Sequence, residues 1–133
     1  MGKQNFVIEM GMTLDGLHGY PEGSTGEKVF YMMIMQFLML WGQQSKGATL
    51  KDQKMFYKIR KAMDEAIKTK DASFNLEPEE FDFLDKVRVE VKLDLEANEA
   101  VIRVNEQIDK AVTNYESKYG KREMASPAME HRH

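Results

Sequence analysis

His18 is the only histidine before the C-terminal tail, and it lies three residues after Asp15 in the glycine-dense loop Asp15-Gly-Leu-His-Gly-Tyr-Pro-Glu-Gly23. A histidine and a carboxylate on one loop are raw material for acid–base work or a metal site, since imidazole changes charge near neutral pH. The pattern goes no further. No serine sits in a nucleophile elbow, and no second ligand stands at helical spacing from His18. An exposed loop histidine is the expectation, with a small enzyme built on His18 and Asp15 as a distant alternative. The neighbouring run Gly19-Tyr-Pro-Glu-Gly-Ser-Thr-Gly26-Glu27-Lys28 has the outline of a phosphate loop. The motif requires Gly-Lys-Ser/Thr at its end. Here Glu27 intervenes and Val29 replaces the magnesium-binding hydroxyl, so no nucleotide site is expected. The carboxylates of Glu77–Asp85 are numerous, but Glu79, Glu80, Asp82 and Asp85 fit the start and solvated face of a helix. No catalytic residue, metal ligand or cofactor is predicted.

One further group could bind rather than react. Lys51, Lys54, Lys58, Arg60 and Lys61 crowd a single helical segment beside Phe56 and Tyr57. Lysines near aromatic rings suit phosphates, and Lys51, Lys54, Lys58 and Lys61 are the candidate contacts of a nucleic-acid-binding regulator. Against a helix-turn-helix, the preceding helix is too apolar for a surface scaffold, and few side chains suit base edges.

Composition narrows the function classes. The chain has 133 residues and no cysteine, 42% hydrophobic and 31% charged residues, and a net charge of −3. This is one folded domain's worth of chain. Disulfide scaffolds, thiolate zinc sites and cysteine nucleophiles are excluded. The charge argues against a generally basic nucleic-acid binder. The longest apolar run, Val29 to Trp41, is interrupted by Gln36. It is shorter than the ~20 residues of a membrane span, so no membrane partner is expected. No apolar segment follows Lys3, so no leader is expected either. A cytoplasmic location is the expectation.

The elements that would position these groups can be read from periodicity and caps. Phe6, Ile8, Met10, Met12 and Leu14 alternate with other residues, predicting a strand-like arm over 6–14 that Gly11 weakens or bulges. Ser24-x-x-Glu27 has the form of a capping box and starts a helix over 25–44. That helix is apolar nearly all round and carries Met32, Met33, Met35 and Met39. Thr49-x-x-Asp52 starts an amphipathic helix over 49–68, with Phe56, Ile59, Met63, Ala66 and Ile67 as its inner stripe.

Pro78, Glu79 and Glu80, with Leu76 and Phe81 as a hydrophobic staple, start a helix over 78–92. Val87, Val89, Val91, Leu93 and Leu95 also alternate, so a strand over 87–95 pairing with 6–14 is the alternative. Ala97, Val101, Val104, Ile108, Ala111 and Tyr115 follow a heptad over a last helix, 97–119, closed by Gly120. Residues 121–133 read as a disordered tail.

The predicted fold class is mainly α: a small helical bundle with an N-terminal strand-like arm, one domain over 1–120. The alternative is α+β, with strands near 6–14 and 87–95. Charge is uneven along it. Residues 46–70 hold eight basic and three acidic residues, whereas 71–101 hold three basic and ten acidic. The two segments either neutralise each other within the fold or form opposed faces.

The segment Ile59-Arg-Lys-Ala-Met-Asp-Glu-Ala66, then Leu76-Glu-Pro-Glu-Glu-Phe-Asp-Phe-Leu84, then a terminal helix, resembles small accessory and assembly proteins of tailed bacteriophages. The resemblance covers about half the chain through generic capped helices, and no functional residue is carried over. It implies a viral assembly protein acting in the host cytoplasm or virion.

The reading that follows is a non-catalytic protein–protein interaction or assembly module that forms a homo-oligomer. Its candidate contact residues are Met35, Met39 and Trp41 of the methionine-rich helix and Val101, Val104, Ile108 and Tyr115 of the seam. The partner helix of that seam is either internal or from another subunit.

Overall fold

The computed structural model describes residues 4–45, 47–93 and 99–121. Its elements run β1 (Phe6–Glu9), α1 (Gly26–Gln44), α2 (Leu50–Lys68), β2 (Ser73–Leu76), α3 (Pro78–Glu90) and α4 (Glu99–Tyr119). The mainly α class is correct. The expected tail from 122 onward, and the first two residues of the expected last helix, lie outside the described residues.

β1 is short because its alternation is real for only part of the expected arm. Phe6 and Ile8 point inward, while Val7 and Glu9 point outward. Met10 still donates its N–H to the Ala72 carbonyl, but Met12 N–H turns back to the Met10 carbonyl across Gly11. That three-residue turn ends the strand at the glycine. Met10 and Met12 nevertheless stay buried. The partner of β1 is β2, antiparallel, with Phe6 opposite Leu76 and Ile8 opposite Phe74. All four side chains are in the core. A one-residue slip would turn them to solvent, which fixes the register.

The strand alternative at 87–95 is therefore overturned. Residues 87–90 are helical, Val91 is the extended C-cap, and positions 94–95 lie outside the described residues. Two β-branched residues in the helix, Val87 and Val89, cost roughly 0.5 kcal/mol each. Burying Phe81, Leu84 and Val87, all on one face of α3, recovers about 2 kcal/mol per side chain. The helix start adds to this, since the Glu80 carboxylate accepts from the Glu77 N–H at 3.0 Å. In the helix Val89 is left exposed, where a strand would have placed it beside Val87 and Val91.

α1 also begins one residue later than expected. Thr25, not Ser24, is the N-cap, and its hydroxyl accepts from the Lys28 N–H at 3.2 Å. Gly26, the first residue of the helix, packs directly on the Met12 backbone, where a β-carbon would overlap the Met12 carbonyl oxygen. The arm thus passes against the first turn of α1. α2 starts as expected at Thr49, with the reciprocal Thr49–Asp52 box. It ends through Lys70 at φ 60°, while Asp71 N–H bonds to the Ala66 carbonyl and Lys70 N–H to that of Ile67. This Schellman closure reverses the chain into β2.

α4 lies along β1, α2 lies along β2, and α1 packs on α2, α3 and α4. Three parallel rings join the elements. Phe6 stacks between Phe81 of α3 and Tyr115 of α4, with centroids 3.9 Å apart on each side. A second join is ionic. Asp85 is only 2% exposed, and Arg88 Nε donates to it at 2.7 Å. The same guanidinium reaches Asp109 at 2.8 Å and the Asn105 side chain at 3.2 Å, so α3 is tied to α4.

Two substitutions test this packing. Gly26→Ala should lower stability by about 3 kcal/mol, because backbone rather than a flexible side chain must give way. Arg88→Met removes the counter-charge of a buried carboxylate and should cost about 3–5 kcal/mol, with Arg88→Met/Asp85→Leu recovering much of it. Urea unfolding followed by circular dichroism measures both.

Candidate interaction surfaces

Of the residues expected to meet a partner, several are used inside the chain. Val104 and Ile108 are wholly buried and Val101 is half-buried, because the α4 seam packs on β1 and α1. The partner of the heptad is internal, and it is a strand and a helix together. Polar side chains of α4 strengthen the same contact. Gln107 Nε2 donates to the Glu9 carbonyl at 3.1 Å, and Arg103 donates to the carbonyls of Thr13 and Asp15 at 2.7 and 2.8 Å. Tyr115 is held in the ring stack and donates its hydroxyl to Gln4 Oε1 at 3.3 Å.

Trp41 is also internal. Its ring lies edge-on to Phe56 and Phe83, its N–H donates to Glu90 Oε1 at 3.0 Å, and Lys86 sits over it at 5.5 Å. It anchors α1 to α2 and α3. Val104, Ile108 and Trp41 therefore have almost no surface left to offer another chain.

The other half of the expected set is at the surface. Met39 is 60% exposed and Met35 half-buried, and Met32, 62% exposed, joins them. Met32, Met35 and Met39 stand at i, i+3 and i+7, so helical geometry places them on one face. The spacing groups Met32 with Met35 and Met39, but a helix apolar all round gives no sign in its sequence of which side remains outside. From Val29 to Ser45 the sequence has no charged residue. The polar side chains of α1 along it, Gln36, Gln43 and Tyr31, are all uncharged. Tyr20, from the glycine loop, borders it and makes it one wall of a shallow groove of about 630 Å³. Large apolar residues exposed together and without charge mark docking surfaces on folded proteins, and methionine adapts its shape to what meets it.

The basic helix presents a second surface. Lys51, Lys54, Lys58 and Lys61 are all exposed, and Tyr57 is 55% exposed among them. The carboxylates of the acidic segment do not neutralise them. Glu80 is engaged at the start of α3 and Asp85 by Arg88. Among the described residues, no carboxylate stands within ion-pair distance of any of the four lysines.

The catalytic candidates stay apart. His18 is exposed on its loop, and no hydrogen bond joins it to Asp15 among the described residues. Asp15 is engaged through its backbone, its N–H donating to the Thr13 hydroxyl and its carbonyl accepting from Arg103. No group of three histidine or carboxylate side chains suited to a metal occurs among the described residues. Nor is any helix there long and apolar enough to cross a membrane. Compared with known proteins, the chain matches no family model, no curated protein and no solved structure.

Where α1 meets α2, Tyr31 has its pKa raised, first by burial and then by its hydrogen bond to the Asp64 carboxylate and the charge of that group. The unfolded chain therefore loses this proton at lower pH than the folded chain. The stability Tyr31 contributes is fully present below pH ~10 and is lost as pH rises through the folded value. Tyr31→Phe should lower stability near neutrality, where the hydrogen bond to Asp64 is lost, and flatten the alkaline fall, as read by urea midpoints across that range.

Proposed function

We propose that the protein is a non-catalytic interaction module that pairs with a second copy of itself through the methionine face of α1. The observation that carries this reading is the absence of charge on an exposed apolar helix face. In a two-fold interface each patch meets its own copy, so a charge near the axis meets a like charge. The α1 face avoids that repulsion. Antiparallel pairing brings Met32, Met35 and Met39 against their counterparts. It also brings Gln36 near its copy, where two amides donate and accept reciprocally. The buried α4 seam then serves the fold and the α1 face serves association. An assembly role, as the resemblance to phage accessory proteins implies, would use this pairing as its first step.

Light scattering tests the reading. The wild-type chain should have the mass of a dimer. Met39→Lys, on the exposed face, should yield a monomer with unchanged circular dichroism, because the new charge has no partner in an apolar interface. Ile108→Asp lies in the core and should unfold the chain. A wild-type monomer at every concentration, or a dimer that persists in Met39→Lys, overturns the proposal.

A further inference from the structure

The basic face of α2 carries an inference independent of α1. Lys51, Lys54, Lys58 and Lys61 follow one another at three- and four-residue steps, a stripe about 15 Å long at 1.5 Å per residue. Tyr57 lies exposed within it. Arg60 and Lys61 each place a cation 5.9 Å from the Tyr57 ring centroid. Gln53, Lys54, Tyr57, Lys58 and Lys61 line a shallow hollow of about 470 Å³. This hollow has an aromatic side, three ammonium groups and one amide.

The charge of this stripe is unspent. Asp52 closes the cap at the start of α2, and Asp64 lies by Arg60, 3.9 Å away, beyond the far end of the stripe. A net charge of −3 for the chain does not cancel a local positive field, since exposed charges are screened beyond roughly 10 Å.

We infer that this face of α2 binds single-stranded nucleic acid, with a base stacked on Tyr57 and the flanking phosphates held by Lys54, Lys58 and Lys61. An acidic peptide would use the lysines but give no role to an exposed ring in their midst. A base uses both, since every base has a face to stack and a phosphate on each side. A duplex fits poorly, because its bases are already stacked on one another and α2 lies flat on the fold along β2 instead of projecting as a recognition helix does. Gln53 at the rim can reach a base edge, which would add a modest preference rather than strict sequence reading.

The test is fluorescence polarisation of the full-length protein with a labelled oligothymidylate, with a duplex of equal length and polyglutamate as competitors. Binding to the single strand is expected, and it should weaken steeply as salt rises. At roughly 0.7 per phosphate contact, Lys54→Gln/Lys58→Gln should lower the slope of log K against log salt by about 1.4. Tyr57→Ala should weaken binding about ten-fold and Tyr57→Phe should leave it nearly unchanged, as stacking requires. These positions are exposed, and circular dichroism verifies that each variant folds. Three outcomes overturn the inference: no binding at low salt, Tyr57→Ala binding like wild type, or polyglutamate displacing the strand as well as unlabelled oligothymidylate does. The last would identify the face as a site for an acidic protein.

Discussion

The structure depends on how a four-residue strand is held. β1 is too short to be stable alone or with β2 alone, since an isolated two-stranded ribbon is marginal in water. Its inward residues are clamped from two directions, with Phe6 between the rings of Phe81 and Tyr115. Its backbone is satisfied from two directions as well. β2 takes one edge through the ladder, and α4 approaches the carbonyls of the other side and the following arm through Gln107 and Arg103. Covering an edge in this way removes a row of unpaired backbone groups that would otherwise invite another strand. β2 and α4 hold β1 along its length, α3 meets it through Phe81, and Arg88 ties α3 to α4 directly.

That constraint divides the apolar residues between two tasks. The heptad of α4 has the sequence form of an intermolecular seam, yet the strand takes it up. α1 has more apolar surface than one side of a helix can bury. Its inner side, Phe30, Ile34, Phe37, Leu38 and Trp41, lies in the core. The surplus appears as methionine and glutamine on the outer side. Methionine there is a compromise between burial and exposure, since the unbranched thioether covers neighbours in either state. Charge is divided similarly. In α3, Glu80 serves the first turn, Asp85 meets Arg88 and Glu90 meets Trp41, while the lysines of α2 face solvent.

Much of the fold was legible. The Thr49–Asp52 box, Pro78 with its acidic first turn, and the α4 heptad each specify a helix locally, and each gave its element within a residue or two. What failed was set by distant contacts. Ser24 and Thr25 are both good cap residues, so local sequence does not choose between them, and Thr25 takes the position. β2 was missed because Ser73–Leu76 has two inward residues, too few for a period, and reads as the approach to α3. The strand alternative at 87–95 had a better pattern than the true strand, and lost because α3 was already capped and anchored by Phe81 and Leu84. Of the candidate site residues, Met35 and Met39 are at the surface, whereas Trp41, Val104 and Ile108 are inside. The difference depends on which side of each helix meets β1, and periodicity alone does not encode it.

The pairing of β1 with β2 has a consequence for how the chain comes together. The two strands are about 70 residues apart in sequence, and closing so long a loop carries an entropic cost that local helices do not face. The ring that completes the Phe6 stack, Tyr115, comes later still. β1 therefore draws all its partners from distant parts of the sequence: β2 for its backbone, and Phe81 and Tyr115 for the two faces of Phe6. The helices can form from their own caps. α4 thus closes over β1, and the fold without it would leave one face of the Phe6 ring uncovered.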